Sequence, residues 1–489
     1  MIFSIFNFHF LKNRYLILTI LFGLNFILKF LFLGTQDICI DEPYSIFHAQ
    51  FGVGDIIRFL KPTNNPPLFE IILHYWIKMF GISVFSVRFL PLVFASLSVV
   101  FIYKISERLF NYEIAISSSL LYTFSTISAY YSHDCRVYTL FLLLTVISVY
   151  YLIKIIDVGS TNWDKILFCF VNILIIYAHY FGFIVWFIEL LYVLFYGRKY
   201  LKQFVFLLGI SIVFYLPQML IFFERFQQSA KEGTWLKEVV SIENLYNRLW
   251  SFCNMPVVVV FCIVLLVATL TKYLFFKYKN AQNISKPKIQ LISIWFFVPY
   301  VLMFIISYKL PVYLERYLIF IAPAFYILIS YSVNYLFLDK KYKNIILLVL
   351  IMCFVLTVNL NPDKKRESSK VVEFVKLNKN AETLVIICAH DFINNFVYYY
   401  DKKIFQNVIP QIEYQTVTNY LNSENIFPIR SINEINNEVL KKFRKVIYLD
   451  AGADFSNPGN GILQSLESKY KLNIKQHFNT IFDVYIFTS

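Results

Sequence analysis

The sequence predicts a polytopic α-helical membrane protein of about eleven transmembrane helices, followed by a C-terminal α/β domain on the outer side. Three observations carry this. Of the 489 residues, 58% are hydrophobic and only 16% charged, whereas a soluble chain carries about 25% charged residues. Long apolar runs recur until residue 359, and there the composition turns abruptly to Lys, Asn, Glu and Asp. Finally, Lys and Arg bunch in short segments between alternate runs. The formal net charge of +14 therefore reads as orientation in a membrane, and no nucleic-acid partner is expected.

The first span is Tyr15–Leu33, after Lys12 and Arg14. No small-residue cleavage site follows it, so it is expected to stay as an anchor. An outer loop, 34–83, begins polar and ends in the apolar stretch Pro67–Gly81, which contains Glu70, His74 and Lys78. About fifteen residues is short for a span and suits a helix lying in the interface. Spans then follow at 84–103, 114–131, 139–153, 166–182, 183–196, 203–222, 255–271, 289–307, 317–337 and 344–359.

Loop charge tests this count. With the N-terminus inside and Pro67–Gly81 not spanning, the inner loops hold Lys104 and Arg108, Lys154 and Lys165, and Arg198, Lys199 and Lys202. They also hold Lys272, Lys277, Lys279, Lys286 and Lys288, then Lys340, Lys341 and Lys343. A spanning Pro67–Gly81 would put these clusters outside, against the positive-inside bias. The expected location is the cytoplasmic (inner) membrane, with the C-terminal domain outside.

Residues 1–360 form the transmembrane domain and 361–489 the soluble one. In the latter, helical stretches (Glu367–Lys379, Ser431–Lys442) alternate with strand-like runs (Thr383–Cys388, Lys445–Leu449). Seven cysteines are scattered without a CxxC pair or a Cys/His metal spacing, and the five in or beside apolar runs (Cys135, Cys169, Cys253, Cys262 and Cys353) read as small hydrophobes.

Polar chemistry concentrates on the outer loops. Asp41-Glu42 follows the first span; a solvated acid pair or a helix start explains it taken alone. Asn65-Pro66-Pro67-Leu68 marks a helix start. Ser132–Tyr138 packs His133, Asp134, Arg136 and Tyr138 into one short loop, where an Asp134–Arg136 ion pair is the plain structural account. His179-Tyr180-Phe181-Gly182 is a tight turn of interfacial residues. Arg316 precedes a late span, either snorkelling or holding a phosphate at headgroup depth. The spans carry almost no charge at mid-depth, unlike those of transporters. A reaction between a lipid-linked substrate and a water-side acceptor needs this layout.

At these residues the chain resembles lipid-phosphate-sugar-dependent membrane glycosyltransferases of the C-type fold, closest to the bacterial protein mannosyltransferase and aminoarabinose transferase superfamily (glycosyltransferase family 39-like). The match runs through Asp41-Glu42, Asn65-Pro66-Pro67-Leu68, Phe80-Gly81 with Val87-Arg88-Phe89-Leu90-Pro91, and Asp134-Cys135-Arg136-Val137-Tyr138. It covers residues 15–200, with weaker extensions at His179–Gly182 and Arg316-Tyr317. Two positions depart from the family's pattern: Asn65 stands where a histidine is usual, and Asp134 where glutamate is more frequent.

The resemblance implies transfer of a sugar from a polyprenyl-phosphate carrier to an envelope acceptor (lipid, glycan or protein) on the outer face, with inversion. It implies Asp41, Glu42 and Asp134 as catalytic carboxylates, Asp41 being the general base. Arg136, Tyr138, His133, Asn65, His179, Tyr180 and Arg316 are then substrate-binding residues. No cofactor is required beyond the lipid-linked sugar donor, although carboxylates from two loops suit a divalent cation as well. The competing readings are a lipid-linked sugar flippase, a non-catalytic envelope-assembly scaffold, and a polymerase joining lipid-linked repeats.

Overall fold

The computed structural model describes residues 13–63, 65–157, 160–232, 240–275, 286–402, 413–434, 440, 442–456, 459–479 and 481–489. Lys12, Lys277, Lys279 and half of the expected helix Ser431–Lys442 fall outside these residues; of that helix, a 3₁₀ turn at Ile432–Glu434 is described.

The helices follow the apolar runs. α1 (Arg14–Phe30) is capped by Asn13, whose side chain accepts from the amides of Tyr15 and Leu16. The outer-loop region yields α2 (Glu42–His48), α3 (Val53–Leu60) and the short apolar α4 (Leu68–Phe80). Next come α5 (Val84–Leu109), α6 (Tyr112–Thr123), α7 (Thr126–Ser132), α8 (Tyr138–Ile156), α9 (Asn162–Ala178) and α10 (Gly182–Tyr196). The expected span 114–131 is thus two helices, broken at Phe124-Ser125. α11 (Leu201–Glu232), α12 (Glu243–Phe252), α13 (Pro256–Phe275), α14 (Lys286–Ile306), α15 (Ala322–Leu336) and α16 (Lys340–Thr357) complete the apolar part.

Six helical stretches among the described residues are long and apolar enough to cross a membrane: Val84–Leu109, Tyr138–Ile156, Arg198–Lys231, Pro256–Phe275, Lys288–Ile306 and Glu315–Leu336. Gly182–Tyr196 is a shorter apolar helix. Burial separates central from peripheral spans. The apolar window of Glu315–Leu336 is 89% buried, that of Pro256–Phe275 only 22%. A helix this apolar and this exposed faces lipid.

The chain divides into two compact units. The first comprises residues 1–33, 60–69 and 88–362; the second comprises 34–59, 70–87 and 363–489.

Inside the first unit, polar seams join the helices. Ser148 of α8 donates to Glu189 Oε1 of α10 (2.5 Å) and accepts from Asn172 Nδ2 of α9 (2.8 Å). All three are buried. The spans are therefore less free of ionisable groups than the sequence suggested: Glu189 and Lys29 both lie within apolar helices. Interhelical bonds of this kind hold bundles in a medium that offers no water. The α6–α7 break has its own fixture. Asn254, in the left-handed region at φ 63°, accepts from Thr126 N (2.7 Å) and donates to the carbonyls of Phe124 (2.9 Å) and Phe354 (3.3 Å). One amide thereby satisfies backbone groups that the break leaves open.

The second unit contains a five-stranded mixed sheet: β1 (Thr383–Cys388), β2 (Ile426–Pro428), β3 (Lys445–Ala451), β4 (Lys471–Phe478) and β5 (Phe482–Thr488). The order is β2-β1-β3-β5-β4, with β1 parallel to β2 and β3, and β5 antiparallel to β3 and β4. Central β1, TLVIIC, is buried at every residue, as expected for a parallel strand covered on both faces. Edge strand β4 is exposed and carries Lys471 and Lys475, which discourage pairing with another chain. α17 (Ser368–Asn378) and α18 (Ile393–Tyr400) pack on each other.

Candidate active site

In the first unit, five of the expected binding residues meet: Asn65, Arg136, Tyr138, His179 and Arg316. The turn after α7 is tight: Arg136 N donates to the Asp134 carbonyl at 2.7 Å. The Arg136 side chain is buried, and its Nη2 reaches Asn65 Oδ1 at 3.5 Å. The Tyr138 ring contacts Tyr131 (5.4 Å between centroids) and Tyr317 (6.4 Å). His133 has a different task. Its Nε2 donates to the Lys29 carbonyl (2.7 Å), and Lys29 Nζ donates to Ser128 Oγ (2.6 Å), tying α1 to α7.

His179 ends α9 in a turn that only glycine permits at residue 182. A Cβ there would lie 2.6 Å from the Ile175 side chain and 3.1 Å from its backbone. Phe181 N donates to His179 Nδ1 at 3.1 Å, which leaves the ring proton on Nε2. The ring stacks on Phe141 (5.1 Å) and meets Tyr317 (5.6 Å). Burial first, and then the positive charges of Arg136 and Arg316, push its pKa from 6.5 down to about 3. The imidazole is therefore neutral, and two guanidinium groups act on one small buried volume. Arg316 also lies over the Tyr317 ring, 5.2 Å from its centroid. Tyr180 belongs to another neighbourhood, against Phe222 of α11 (5.3 Å) and near Arg225.

A cavity of about 450 Å³ lies beside this cluster, lined by Tyr130, Tyr131, Asn247, Trp250, Glu315 and neighbours. Glu315 is fixed there by Arg248 of α12 (Nη1–Oε1, 3.1 Å), whose Nε donates to the Tyr313 carbonyl (3.0 Å). Aromatic faces with an amide and a carboxylate form a lining that suits a carbohydrate or another polar organic group.

The acid pair lies in the second unit. Asp41 is half-buried and does not cap α2, the helix that it precedes. Glu42 is fully buried. Its Oε2 accepts from Lys364 Nζ (3.0 Å) and from Cys39 N (3.2 Å). Around them, Ser45 donates to Glu70 (2.8 Å) and His74 Nδ1 to the Ala49 carbonyl (2.8 Å). Glu42 is an anchored carboxylate, whereas Asp41 is the more accessible of the two. A divalent cation held by both would share the Glu42 carboxylate with the Lys364 ammonium, which already occupies Oε2. Among the described residues no group of three or more His, Cys, Asp or Glu side chains gathers as a metal site.

Three participants escaped the sequence reading. Lys364 sits in the charged run Asp363-Lys364-Lys365-Arg366 and carries no mark that separates it from its neighbours. Tyr317 was visible beside Arg316, but its role in bridging Tyr138, His179 and Phe181 was not. Arg248 lies 67 residues from its partner Glu315.

Residues 64–221 match the sequence model of the family described as dolichyl-phosphate-mannose–protein mannosyltransferase. That segment contains Asn65, Asp134, Arg136, Tyr138 and His179. No curated protein matches the chain significantly. The whole fold is similar to that of ArnT from Cupriavidus metallidurans bound to undecaprenyl phosphate. The TM-score is 0.63 at 9% identity, over 95% of this chain and 97% of that one. It is also similar to the Archaeoglobus fulgidus oligosaccharyltransferase. In the complex of that enzyme with zinc and sulfate the TM-score is 0.56 at 12% identity, over 95% of this chain and 72% of that one. In the form tethered to an acceptor peptide it is 0.58 at 12% identity, over 96% and 73%. The chain thus resembles, in its matched segment and in its fold, membrane glycosyltransferases with lipid-phosphate donors, and it is an integral membrane protein.

Proposed function

We propose that this protein transfers a sugar from a polyprenyl-phosphate carrier to an envelope acceptor on the outer face of the membrane. The observation that carries the reading is the pair of guanidinium groups, Arg136 and Arg316, gathered about a neutral His179. Two cations in a buried setting suit a phosphate monoanion or dianion far better than a neutral ligand. ArnT, the similar fold, binds undecaprenyl phosphate.

The chemistry follows from the groups at hand. The bond between the anomeric carbon and the phosphate oxygen breaks, and its electron pair leaves with the polyprenyl phosphate. Arg136 and Arg316 stabilise that departing charge. The acceptor hydroxyl attacks the opposite face of the sugar and inverts the centre, while Asp41 takes its proton. Glu42 keeps the loop around Asp41 in place. Asp134, half-buried in the Ser132–Tyr138 turn, serves as a second carboxylate toward the sugar. The cavity lined by Trp250, Tyr130 and Asn247 receives the acceptor. This reading places the N-terminus inside and the C-terminal domain outside. Glu189 and Asn172 each bond Ser148 across helices, which favours a structural seam over a transport path.

The test uses the purified full-length protein in nanodiscs with radiolabelled undecaprenyl-phosphate mannose, glucose and arabinose, and an envelope extract as acceptor. At least one donor should be turned over, and Asp41→Asn should slow that transfer at least ~100-fold while leaving donor binding intact. Parental turnover by Asp41→Asn removes the base assignment; no transfer from any donor by the parent removes the activity.

A further inference from the structure

We infer that the segment Lys364–Tyr399, at the start of the C-terminal domain, is a positioning device for Asp41; the inference rests on the base assignment above. Four contacts within the second unit carry it, on Asp37, Ile38 and Ile40 before Asp41 and on Glu42 after it. The Asp37 carboxylate accepts from both N and Oγ of Ser369, each at 2.8 Å, at the N-terminal turn of α17. Ile38 N donates to the Tyr399 hydroxyl at 2.7 Å. The Ile40 carbonyl accepts from Asn395 Nδ2 at 3.3 Å. Glu42, next to Asp41, takes Lys364 Nζ at 3.0 Å with both side chains almost wholly buried (3% and 0% exposed).

These contacts hold a backbone that does not hold itself. Ile40 has φ 56°, the left-handed region that a β-branched residue avoids. Such a conformation persists only where the surroundings impose it. Here the imposing bonds flank it on both sides, and the next residue in the chain is Asp41. A carboxylate that must meet a sugar-acceptor hydroxyl at hydrogen-bond distance depends on that backbone. Lys364, Asn395 and Tyr399 act on it without touching substrate. The C-terminal domain therefore does more than sit beside the membrane. Its first helices complete the loop from which the base projects, and Lys364 holds Glu42, the second acid of the pair, in a buried ion pair.

The test uses full-length protein and the donor that the parent turns over, with Asp41→Asn in the same series. Displacing a reacting group by about 1 Å costs roughly 100-fold. Lys364→Met and Asn395→Ala should therefore each lower kcat by ~10–100-fold, with KM for the donor lipid within ~2-fold of the parent. Lys364→Arg, which keeps the charge, should stay within ~3-fold. The decisive variant is Asn395→Ala with Ile40→Gly. Glycine adopts φ 56° without strain, so the clamp becomes less necessary and kcat should recover most of the loss. A merely destabilising Asn395→Ala would be worsened by a second glycine. If Lys364→Met fails to insert, the uncharged Asn395 series still decides. Parental kcat in Asn395→Ala and Lys364→Met beside an inactive Asp41→Asn overturns the positioning role and leaves the base intact. Parental kcat in Asp41→Asn overturns the base assignment instead.

Discussion

The neutral state of His179 can be measured directly, and its magnitude follows from the structure. Its pKa stands at about 3, against 6.5 in solution. Each pKa unit is worth about 1.4 kcal/mol, so protonating this ring in place costs about 5 kcal/mol more than in water. Burial supplies the largest part, and the charges of Arg136 and Arg316 supply the rest. The perturbation is to remove that charge, with Arg136→Gln and Arg316→Gln together. The pKa should climb by about 1–3 units yet stay below 6.5, because burial persists. Undecaprenyl phosphate should raise it in the parent for the same reason, since a bound anion offsets the guanidinium charge. The assay is an NMR titration of histidine-labelled protein in nanodiscs, with the His179 signal assigned through His179→Gln. The sign for stability is fixed too. Below pH 6.5 the unfolded chain binds a proton that folded His179 refuses. Stability from this residue is thus complete above pH 6.5 and declines as pH falls toward 3, by up to about 1.4 kcal/mol per pH unit. A parental His179 that titrates near 6.5, or one that ignores both the double substitution and the lipid phosphate, refutes the convergence of the two arginines on this ring.

The remaining predictions concern binding and topology. Arg136→Lys keeps the charge but loses the planar fork, so donor KM should rise at least ~10-fold with normal insertion; near-parental kinetics in both Arg136→Lys and Arg136→Ala would remove Arg136 from the site. Reporter fusions at Lys199 and Lys341 should read as cytoplasmic and fusions at Asn361 as external, and an internal Asn361 would overturn the proposed orientation.

Much of the fold was legible because apolar runs leave little freedom. The short Pro67–Gly81 stretch became the thirteen-residue α4, and the run Thr383–Cys388 became a strand over the same residues. The α6–α7 break was not legible. Nothing in Tyr122–Thr126 is a helix breaker, and the group that stabilises the break, Asn254, lies 128 residues from Thr126. Of the candidate site, the polar loop residues stood out in the sequence because short loops between spans leave few positions to consider. Their partners were not. Lys364 meets Glu42 across 322 residues, and an ion pair formed only by tertiary folding leaves no trace in a charged linker. Glu189 stands in the sequence as a lone acid in an apolar run, a signal in its own right, and the sequence analysis did not single it out.

The Asn254 fixture bears on how the chain is made. Thr126 and Phe124 belong to the first third of the sequence, and the Phe354 carbonyl and the Thr357 hydroxyl (3.4 Å from Asn254 Nδ2) to the last span. Thr126 Oγ1 in turn accepts from Asn359 N at 3.0 Å. While the ribosome is still short of residue 254, the α6–α7 break has already left the exit tunnel with its backbone groups unmet. Asn254 closes them, and α16 with Asn359 beyond it then adds the Asn359 N–Thr126 Oγ1 bond and the Asn254 bonds to Phe354 and Thr357. A messenger truncated before α16 therefore yields a bundle whose early break is closed by Asn254 but lacks the bonds that tie Asn254 and Thr126 to the last span.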